Sequence, residues 1–316
     1  MEVPPIQPCR DQPHRRTLPD DTGDETLSGI PCLMKHEGLV ESIRQRLLNH
    51  ARNSSEAFDF VLSQYGIERF LYRLSLSEES NCYVLKGATL FHVWNRKMHR
   101  PTRDLDLLGF GPDNLDSVRQ SVLAIMRIEA PEDALRFDES SLVVDTIRED
   151  MTYGGVRVNF RAMLGNVRIP VRVDVGFGDS VVPEPEIREF PGLLTGMPTA
   201  SLRVYPVSTV IAEKFEALVR LDTQNSRMKD FFDLDFLLDG GAIDKALLFK
   251  ALQATFNRRS AELPCELPTG LSDDFARNKQ LMWQAFLRKN GLEGGSNEMV
   301  EVVKRIRAEL EWIWIK

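Results

Sequence analysis

The chain has 316 residues, of which 42% are hydrophobic and 28% are charged, and its formal net charge is -7. This is the composition of an ordinary globular protein with enough chain for about two domains. The net acidity argues against a general nucleic-acid coat protein, although it leaves room for a local basic groove. No apolar run reaches the roughly 18 residues of a membrane span, and the N-terminus resembles no secretory signal. We therefore expect a cytoplasmic protein that does not enter a membrane.

Four cysteines are scattered along the chain without a CxxC pair: Cys9, Cys32, Cys82 and Cys265. This spacing supports neither a zinc ribbon nor a disulfide framework. We expect reduced thiols, as is usual for a cytosolic protein.

The composition and the apolar spacing divide the chain into three predicted segments. Residues 1–36 are predicted to be a flexible leader, because they are rich in Pro, Asp, Arg and Gly. Residues 37–200 are predicted to form the core, which begins with helices and continues with strands. Residues 201–316 are predicted to be helical. The expected fold class is α+β, with a mixed β-sheet flanked by helices and a helical C-terminal half.

The predicted elements follow from residue spacing in chain order. Helices are expected from near Gly38 to Leu76, followed by a strand, a tight turn and a helix from Cys82 onwards. A strand at 104–108 precedes a helix over 115–136. Strands at 156–163 and 167–175 should form a hairpin around 165–166, with a loop over 183–191. The remaining helices are expected at 208–221, 229–238, 247–256, 281–286 and 297–315.

An acidic pair lies on the first of these strands. Asp104 and Asp106 are two residues apart, and in a strand that spacing points both side chains to one face. Adjacent carboxylates repel one another and lose solvation, and a divalent cation relieves both costs. Magnesium prefers oxygen ligands from one or two carboxylates together with substrate phosphates. The pair therefore indicates a magnesium site.

A third acid, Asp174, ends the alternating run Val171 to Val175. If its strand lies beside the first, three carboxylates meet on one part of the sheet. Such an arrangement suits metal-assisted nucleotidyl transfer, because the metal neutralises the triphosphate and activates the attacking hydroxyl.

The alternative interpretation of the acidic pair is a solvated face on an edge strand. Two further features favour a triphosphate site. A Lys86-Gly87 turn opens a helix, and backbone N–H groups in such a turn bind phosphate. No acid lies between Lys86 and Asp104, while the same interval contains four basic residues, Arg96, Lys97, Arg100 and Arg103.

Four blocks of the sequence together resemble the AbiEii toxin family, whose members are minimal nucleotidyltransferases of the DNA polymerase β-like superfamily. The blocks are LKGATLFHVW, RPTRDLDLLGFG, VRVDVGFGD and AEKFEALVRLDTQNSRMKDFFDLDFLL. They span roughly Cys82 to Leu238. Each block alone is a weak indication of the family, whereas the combination of the four blocks in this order is specific to it.

The resemblance implies a role for each matching residue. Asp104, Asp106 and Asp174 would bind Mg²⁺, with Asp174 acting as a ligand or as a base. Lys214 would contact the triphosphate, and Asp230 and Asp233 would complete the catalytic set. The implied nucleotide-binding residues are Lys86, Gly87, Ala88, Thr89, Arg103 and Lys214.

Two points qualify this transfer of roles. The turn of the family is usually Gly-Gly or Gly-Ser, whereas here it is Gly87-Ala88, and alanine tolerates positive φ poorly. From spacing alone, Lys214 reads as an ordinary surface lysine, and Asp230 and Asp233 read as acids favoured at a helix start.

The resemblance implies a growth-inhibiting toxin that transfers a nucleotide from an NTP to RNA, with the tRNA 3′ end as the expected acceptor. A neutralising antitoxin protein would be its partner. Basic residues of the C-terminal half could bind an RNA backbone, or they could be solvated helix faces. Two other functions stay open, namely modification of a protein hydroxyl on the same scaffold and a non-catalytic nucleotide-binding module.

Overall fold

The structure, a computed structural model, describes residues 29–95, 99–147, 154–239, 243–292 and 296–315, with side chains from residue 37 onwards. The chain divides into two compact units. The first comprises the described part of Met1–Lys97 together with Thr102–Gly178 and Ile187–Arg203. The second comprises the described part of Met98–Pro101 together with Asp179–Glu186 and Val204–Lys316.

Two helices open the described part of the chain. Helix α1 covers Gly29–Ser54 and helix α2 covers Phe58–Leu76. Residues 29–36 of the predicted leader are therefore helical, and the rest of that leader lies outside the described residues. Helix α2 is largely buried and packs against the sheet at Gly66, where a Cβ atom would lie 3.1 Å from side-chain methyl groups of the fifth strand.

The first unit is built around a seven-stranded sheet. Its elements after α2 are, in chain order, β1 Tyr83–Lys86, α3 Leu90–Asn95, β2 Asp104–Gly109, α4 Leu115–Met126, β3 Leu135–Ile147, β4 Gly155–Leu164, β5 Val167–Phe177, β6 Glu186–Phe190 and β7 Ala200–Val204. The strand order is β3-β4-β5-β2-β1-β7-β6. Strand β2 runs antiparallel to β1 and parallel to β5, and β4 runs antiparallel to both β3 and β5. The sheet is thus mixed, and the predicted α+β class is confirmed.

Two predicted elements differ from the structure. The helix predicted over 115–136 ends at Met126, and strand β3 begins at Leu135. Pro131 lies between them, and proline disfavours helical backbone in the residue before it. The loop predicted over 183–191 contains the short strand β6. The predicted hairpin is confirmed, with Leu164 paired to Val167 across the turn.

The second unit is helical, as predicted for this part of the chain. Its helices are α5 Val207–Leu221, α6 Met228–Asp239, α7 Lys245–Arg258, α8 Asp273–Asn290 and α9 Met299–Leu310. Helix α8 is much longer than the predicted segment 281–286. Its start is marked by Ser272, whose hydroxyl oxygen accepts a hydrogen bond from the backbone N–H of Phe275 at 3.1 Å.

Two smaller observations concern membrane spans and cysteines. Within the described residues, no helix combines the length and the apolar character that crossing a membrane requires. Cys265 is free and exposed.

An aromatic cluster joins α2 to the sheet. The ring of Phe70 lies 5.9 Å from that of Phe137 and 5.2 Å from that of Phe160, and the last two rings are 5.4 Å apart. All three side chains are buried. Such edge and tilted contacts stabilise a core beyond the burial of area alone.

Replacing Phe70 with alanine should lower the free energy of unfolding by about 3 to 5 kcal/mol, because it opens a cavity under α2. Leu76→Ala is the matched control on the same helix, since this side chain is 53% exposed, and its effect should stay within about 0.5 kcal/mol. Urea unfolding followed by circular dichroism measures both. Equal effects of the two changes would contradict the central position of Phe70.

Candidate active site

Two of the predicted acids are direct neighbours in the sheet. Strands β2 and β5 are parallel, and in their register Asp106 is the partner of Asp174. Asp104 precedes Asp106 by two residues, so its side chain projects from the same face of β2. Partner residues on adjacent strands lie about 5 Å apart. The structure therefore brings these three carboxylates onto one part of one sheet face.

Strand β2 lies inside the sheet, between β5 and β1. The alternative interpretation of the acidic pair as an edge-strand face is therefore wrong. Leu105 and Leu107 are buried, whereas Asp104 and Asp106 are partly exposed. Both acids thus stand on the open face of a strand whose other face belongs to the core.

The turn after β1 lies against one of these acids. Gly87 has φ +73°, and a Cβ atom there would lie 2.0 Å from Oδ2 of Asp106. Any side chain at this position would collide with the carboxylate, and an L residue would also be strained at that φ. Ala88 does not adopt positive φ, so the departure from the family turn puts no strain on the backbone.

Two other predicted nucleotide-binding residues of the first unit, Lys86 and Thr89, adjoin this turn in the chain. Lys86 is the partner of Asp106 on β1. Thr89 is buried, and its hydroxyl donates a hydrogen bond to the carbonyl oxygen of Asp104 at 3.3 Å. This contact ties the turn to β2. Arg103 is exposed, with its guanidinium 5.9 Å from the ring centre of Phe60.

Two arginines that sequence reasoning did not single out hold the acids. Arg157 on β4 donates to both carboxylate oxygens of Asp174, at 2.8 and 2.7 Å. Arg172 on β5 lies 3.4 Å from Asp104 and donates to the side-chain oxygen of Asn159 at 3.1 Å. A signal for Arg157 was present, because counting back from the two-residue hairpin turn places it opposite Asp174.

The three carboxylates fit magnesium by chemistry, since they offer only oxygen donors on one face. The glycine at 87 also leaves the Asp106 carboxylate room beside the turn. As they stand, the described residues contain no group of three His, Cys, Asp or Glu side chains arranged to hold a metal ion. Arg157 and Arg172 occupy oxygens that a cation would take. A cation bound here would compete with these two arginines for the acids.

The second unit contains the remaining predicted residues in one ionic cluster. The ammonium group of Lys214 on α5 lies 2.7 Å from Oδ1 of Asp230 and 2.7 Å from Oδ2 of Asp233, both on α6. The Lys214 side chain is only 15% exposed, and both acids are buried. The interpretation of Lys214 as an ordinary surface lysine is therefore wrong.

Three further side chains complete this cluster. Arg100 donates to both carboxylate oxygens of Asp233, at 2.9 and 3.1 Å. Nε2 of His99 lies 3.4 Å from the same carboxylate, while its ring stacks on Phe232 at 4.5 Å. Arg227 lies 2.6 Å from Asp230. Three lysine or arginine cations thus surround two carboxylates, and positive charge remains in excess. Arg96 and Lys97 of the predicted basic segment lie outside the described residues.

The cluster shifts the pKa values of its members. Burial alone would lower the pKa of Lys214, but Asp233 and Asp230 more than offset this and raise it. Burial would raise the pKa of Asp233, yet Lys214, His99 and Arg100 hold it well below its ordinary value. The pKa of Asp230 is lowered in the same way against the effect of burial. The two acids therefore stay ionised, and the lysine stays protonated.

Replacing Asp233 with asparagine should lower the free energy of unfolding at pH 7 by about 3 to 5 kcal/mol, because it leaves buried cations without compensation. A depressed folded-state pKa contributes stability above the unfolded value of about 3.9 and loses it as the pH falls further. The difference between wild type and variant should therefore shrink below about pH 4. Asp235→Asn, on the same helix and paired with the exposed Arg305, is the control and should cost less than about 1 kcal/mol.

Replacing Gly87 with alanine should destabilise the first unit more than the same change at Gly196. Both glycines have positive φ, but a Cβ atom at Gly196 meets nothing within 4 Å. The strain at positive φ is thus common to both variants, whereas displacement of the Asp106 carboxylate is specific to Gly87→Ala. We expect an additional loss of about 1 to 3 kcal/mol in chemical denaturation. Equal losses would mean that the carboxylate moves aside freely.

Comparison with known proteins bears on this geometry. The family model described as nucleotidyl transferase AbiEii toxin, type IV TA system, matches residues 69–305. No curated protein matches the chain. A crystal structure of JHP933 from Helicobacter pylori covers 85% of this chain and 91% of its own, at 15% identity and a TM-score of 0.41. A second crystal structure from H. pylori, described as a nucleotidyltransferase, covers 84% of this chain and 94% of its own, at 14% identity and a TM-score of 0.39.

At these TM-scores the two structures support no inference about function. The family match covers most of the chain and includes all four blocks that contain the predicted site acids and Lys214. The chain belongs to the AbiEii family, the nucleotidyl transferase toxins of type IV toxin–antitoxin systems.

Proposed function

We propose that the chain transfers a nucleotide from an NTP to RNA in the cytoplasm, with the tRNA 3′ end as acceptor and Mg²⁺ as cofactor. The observation that carries this proposal is the pairing of Asp106 with Asp174 on adjacent parallel strands, with Asp104 on the same face. Family membership supports nucleotidyl transfer in general. The acceptor and the metal are our inference.

The proposed reaction is a single displacement at the α-phosphorus of the NTP. The acceptor hydroxyl oxygen forms a new bond to that phosphorus, and the bond from phosphorus to the oxygen that bridges to the β-phosphate breaks. Pyrophosphate leaves, and the hydroxyl proton passes to Asp174 or to water. Charge stabilisation and alignment supply most of the rate in reactions of this kind.

The first-unit residues have distinct proposed tasks. Asp104 and Asp106 would hold Mg²⁺, with Asp174 as a third ligand or as the base. Bound magnesium neutralises phosphate charge and aligns the leaving group. The Gly87 turn, which has no side chain facing Asp106, would admit the phosphates beside that carboxylate. Thr89 would hold the turn in place through its bond to the Asp104 carbonyl.

For Arg157 we propose that it holds Asp174 in the metal-free protein. Its two hydrogen bonds, at 2.8 and 2.7 Å, fix the plane of the carboxylate. They also offset the repulsion between Asp174 and its partner Asp106 when no cation is present. Release of this bidentate contact would accompany metal loading.

For Lys214 we propose contact with the triphosphate, with Asp230 and Asp233 as the residues that orient its ammonium group. A long side chain fixed by two carboxylates loses little further conformational freedom when it meets a phosphate. The excess of positive charge in the cluster, which Arg100 and Arg227 supply, suits an anionic ligand. We further propose that a cognate antitoxin protein restrains the activity in the cell.

Incubating the purified chain with total tRNA, Mg²⁺ and each labelled NTP in turn tests the proposal. Wild type should transfer label to tRNA, and Asp104→Asn with Asp106→Asn should reduce the rate at least about 100-fold. Asp116→Asn, an exposed acid at the start of α4, is the control and should keep the wild-type rate. Omission of Mg²⁺ should abolish transfer.

Label in protein and none in RNA would replace the RNA acceptor by a protein hydroxyl. Nucleotide binding without transfer to either acceptor would identify a non-catalytic binding module. Full transfer by the doubly substituted variant would exclude the two acids from the chemistry.

A further inference from the structure

A cavity of about 540 Å³ opens beside Asp104, on the part of the sheet formed by β3, β4 and β5. Its volume lies in the range of pockets that take small organic ligands. Its polar lining includes Arg103, Arg161, Arg172 and Asn159, together with three serines and the carboxylate of Asp104. We call this cavity the hairpin pocket.

The lining of the hairpin pocket combines the groups that a nucleotide requires. Guanidinium groups bind phosphate, and serine hydroxyls and an asparagine amide serve sugar or base edges. Val143, which is 50% exposed, and Pro170 add apolar surface against which a base can pack. A purely ionic or a purely apolar ligand would leave part of this lining unmatched.

Arginines continue from the pocket towards the hairpin turn. Arg172 is the partner of Asp104 across β2 and β5. Asn159 on β4 is the partner of Arg172, and Arg161 lies two residues beyond Asn159 towards the turn. Arg168 on β5 lies a further step of two residues in the same direction. Each step is about 7 Å along the strand. Exposed positive charges therefore recur at regular intervals away from the acids, as an extended polyanion would require.

The arginines of this face are held only weakly by the protein. Arg161 lies 3.2 Å from Asp138, and Arg172 lies 3.4 Å from Asp104. Both arginine side chains are almost half exposed, at 46% and 47%. Exposed ion pairs of this kind contribute little to stability. Replacing the carboxylate partner of either arginine with a phosphate group therefore costs little free energy.

The direction of the proposed reaction decides which substrate belongs in the hairpin pocket. In-line displacement places the attacking oxygen and the leaving pyrophosphate on opposite sides of the phosphorus. The Gly87 turn flanks Asp106 from the β1 side, whereas the pocket adjoins Asp104 from the β5 side. If the turn receives the triphosphate, the pocket faces the incoming hydroxyl.

We propose that the hairpin pocket binds the terminal nucleotides of a single-stranded RNA acceptor, and that Arg161 and Arg168 contact its backbone phosphates. This inference rests on the proposed function, since it specifies where the acceptor strand lies. The occupant is a strand rather than a duplex, because a cavity of this size admits individual nucleotides and not a helix.

The test combines RNA binding with transfer kinetics. The variant is Arg161→Gln with Arg168→Gln, and the control is Arg277→Gln with Arg288→Gln, which removes the same charge from exposed positions of α8. The probe is a fluorescent single-stranded RNA with the sequence of a tRNA 3′ end, and anisotropy gives its Kd over a range of salt concentrations. Thermal unfolding should show that both variants remain folded.

We expect the Arg161→Gln, Arg168→Gln protein, the hairpin variant, to bind the RNA with a Kd about tenfold higher. The slope of log Kd against log salt concentration should fall by about 1.4, because two phosphate contacts are lost. The KM for tRNA should rise, while the KM for the NTP should stay unchanged. The control should match wild type in both respects. Weaker binding by the α8 control alone would move the RNA surface to the second unit and overturn the proposal.

The remaining outcomes separate this inference from the proposed function. Transfer to RNA by wild type, together with unchanged affinity and salt dependence in the hairpin variant, overturns only the hairpin pocket. RNA binding that depends on the hairpin arginines without any transfer supports the pocket and overturns the proposed activity. If wild type neither binds nor modifies RNA but labels a protein, both are overturned.

Discussion

The parallel pairing of β2 with β5 is the constraint on which the first unit depends. It places Asp106 beside Asp174 in the interior of the sheet, where neither carboxylate can move away from the other. Such a pair persists only if nearby cations balance it. The neighbouring strands supply them, since Arg157 on β4 binds Asp174 and Lys86 on β1 is the partner of Asp106. One row of the sheet thus contains two acids between two bases.

Alternation of polar and apolar residues was sufficient to predict the face of the acids and the hairpin, because a strand repeats every two residues. The two-residue turn at 165–166 also fixes the hairpin register, so the position of Arg157 opposite Asp174 was within reach of the sequence. The pairing of β2 with β5 was not, because it joins segments that are distant in the chain. From the sequence, this pairing could be stated only as the condition under which the three carboxylates would meet.

The ionic cluster of the second unit shows where local pattern reaches its limit. Spacing on α5 and α6 made Lys214 look like an ordinary surface lysine and Asp233 like an acid favoured at a helix start. The structure buries them because Arg100 and His99, from a segment far earlier in the chain, supply the missing partners. Burial of charge depends on such distant partners, and no periodicity within one helix reveals them.

The two-residue turn of the β4–β5 hairpin has a consequence for how this protein can diverge. Inserting one residue in either strand would exchange the exposed and buried faces of that strand beyond the insertion, which would place arginines in the core. Inserting two residues in each strand next to the turn would keep the existing partners and add one further position on the face that carries the arginines. The hairpin can therefore lengthen or shorten in steps of two residues per strand as its ligand changes, while the carboxylates at its other end keep their positions.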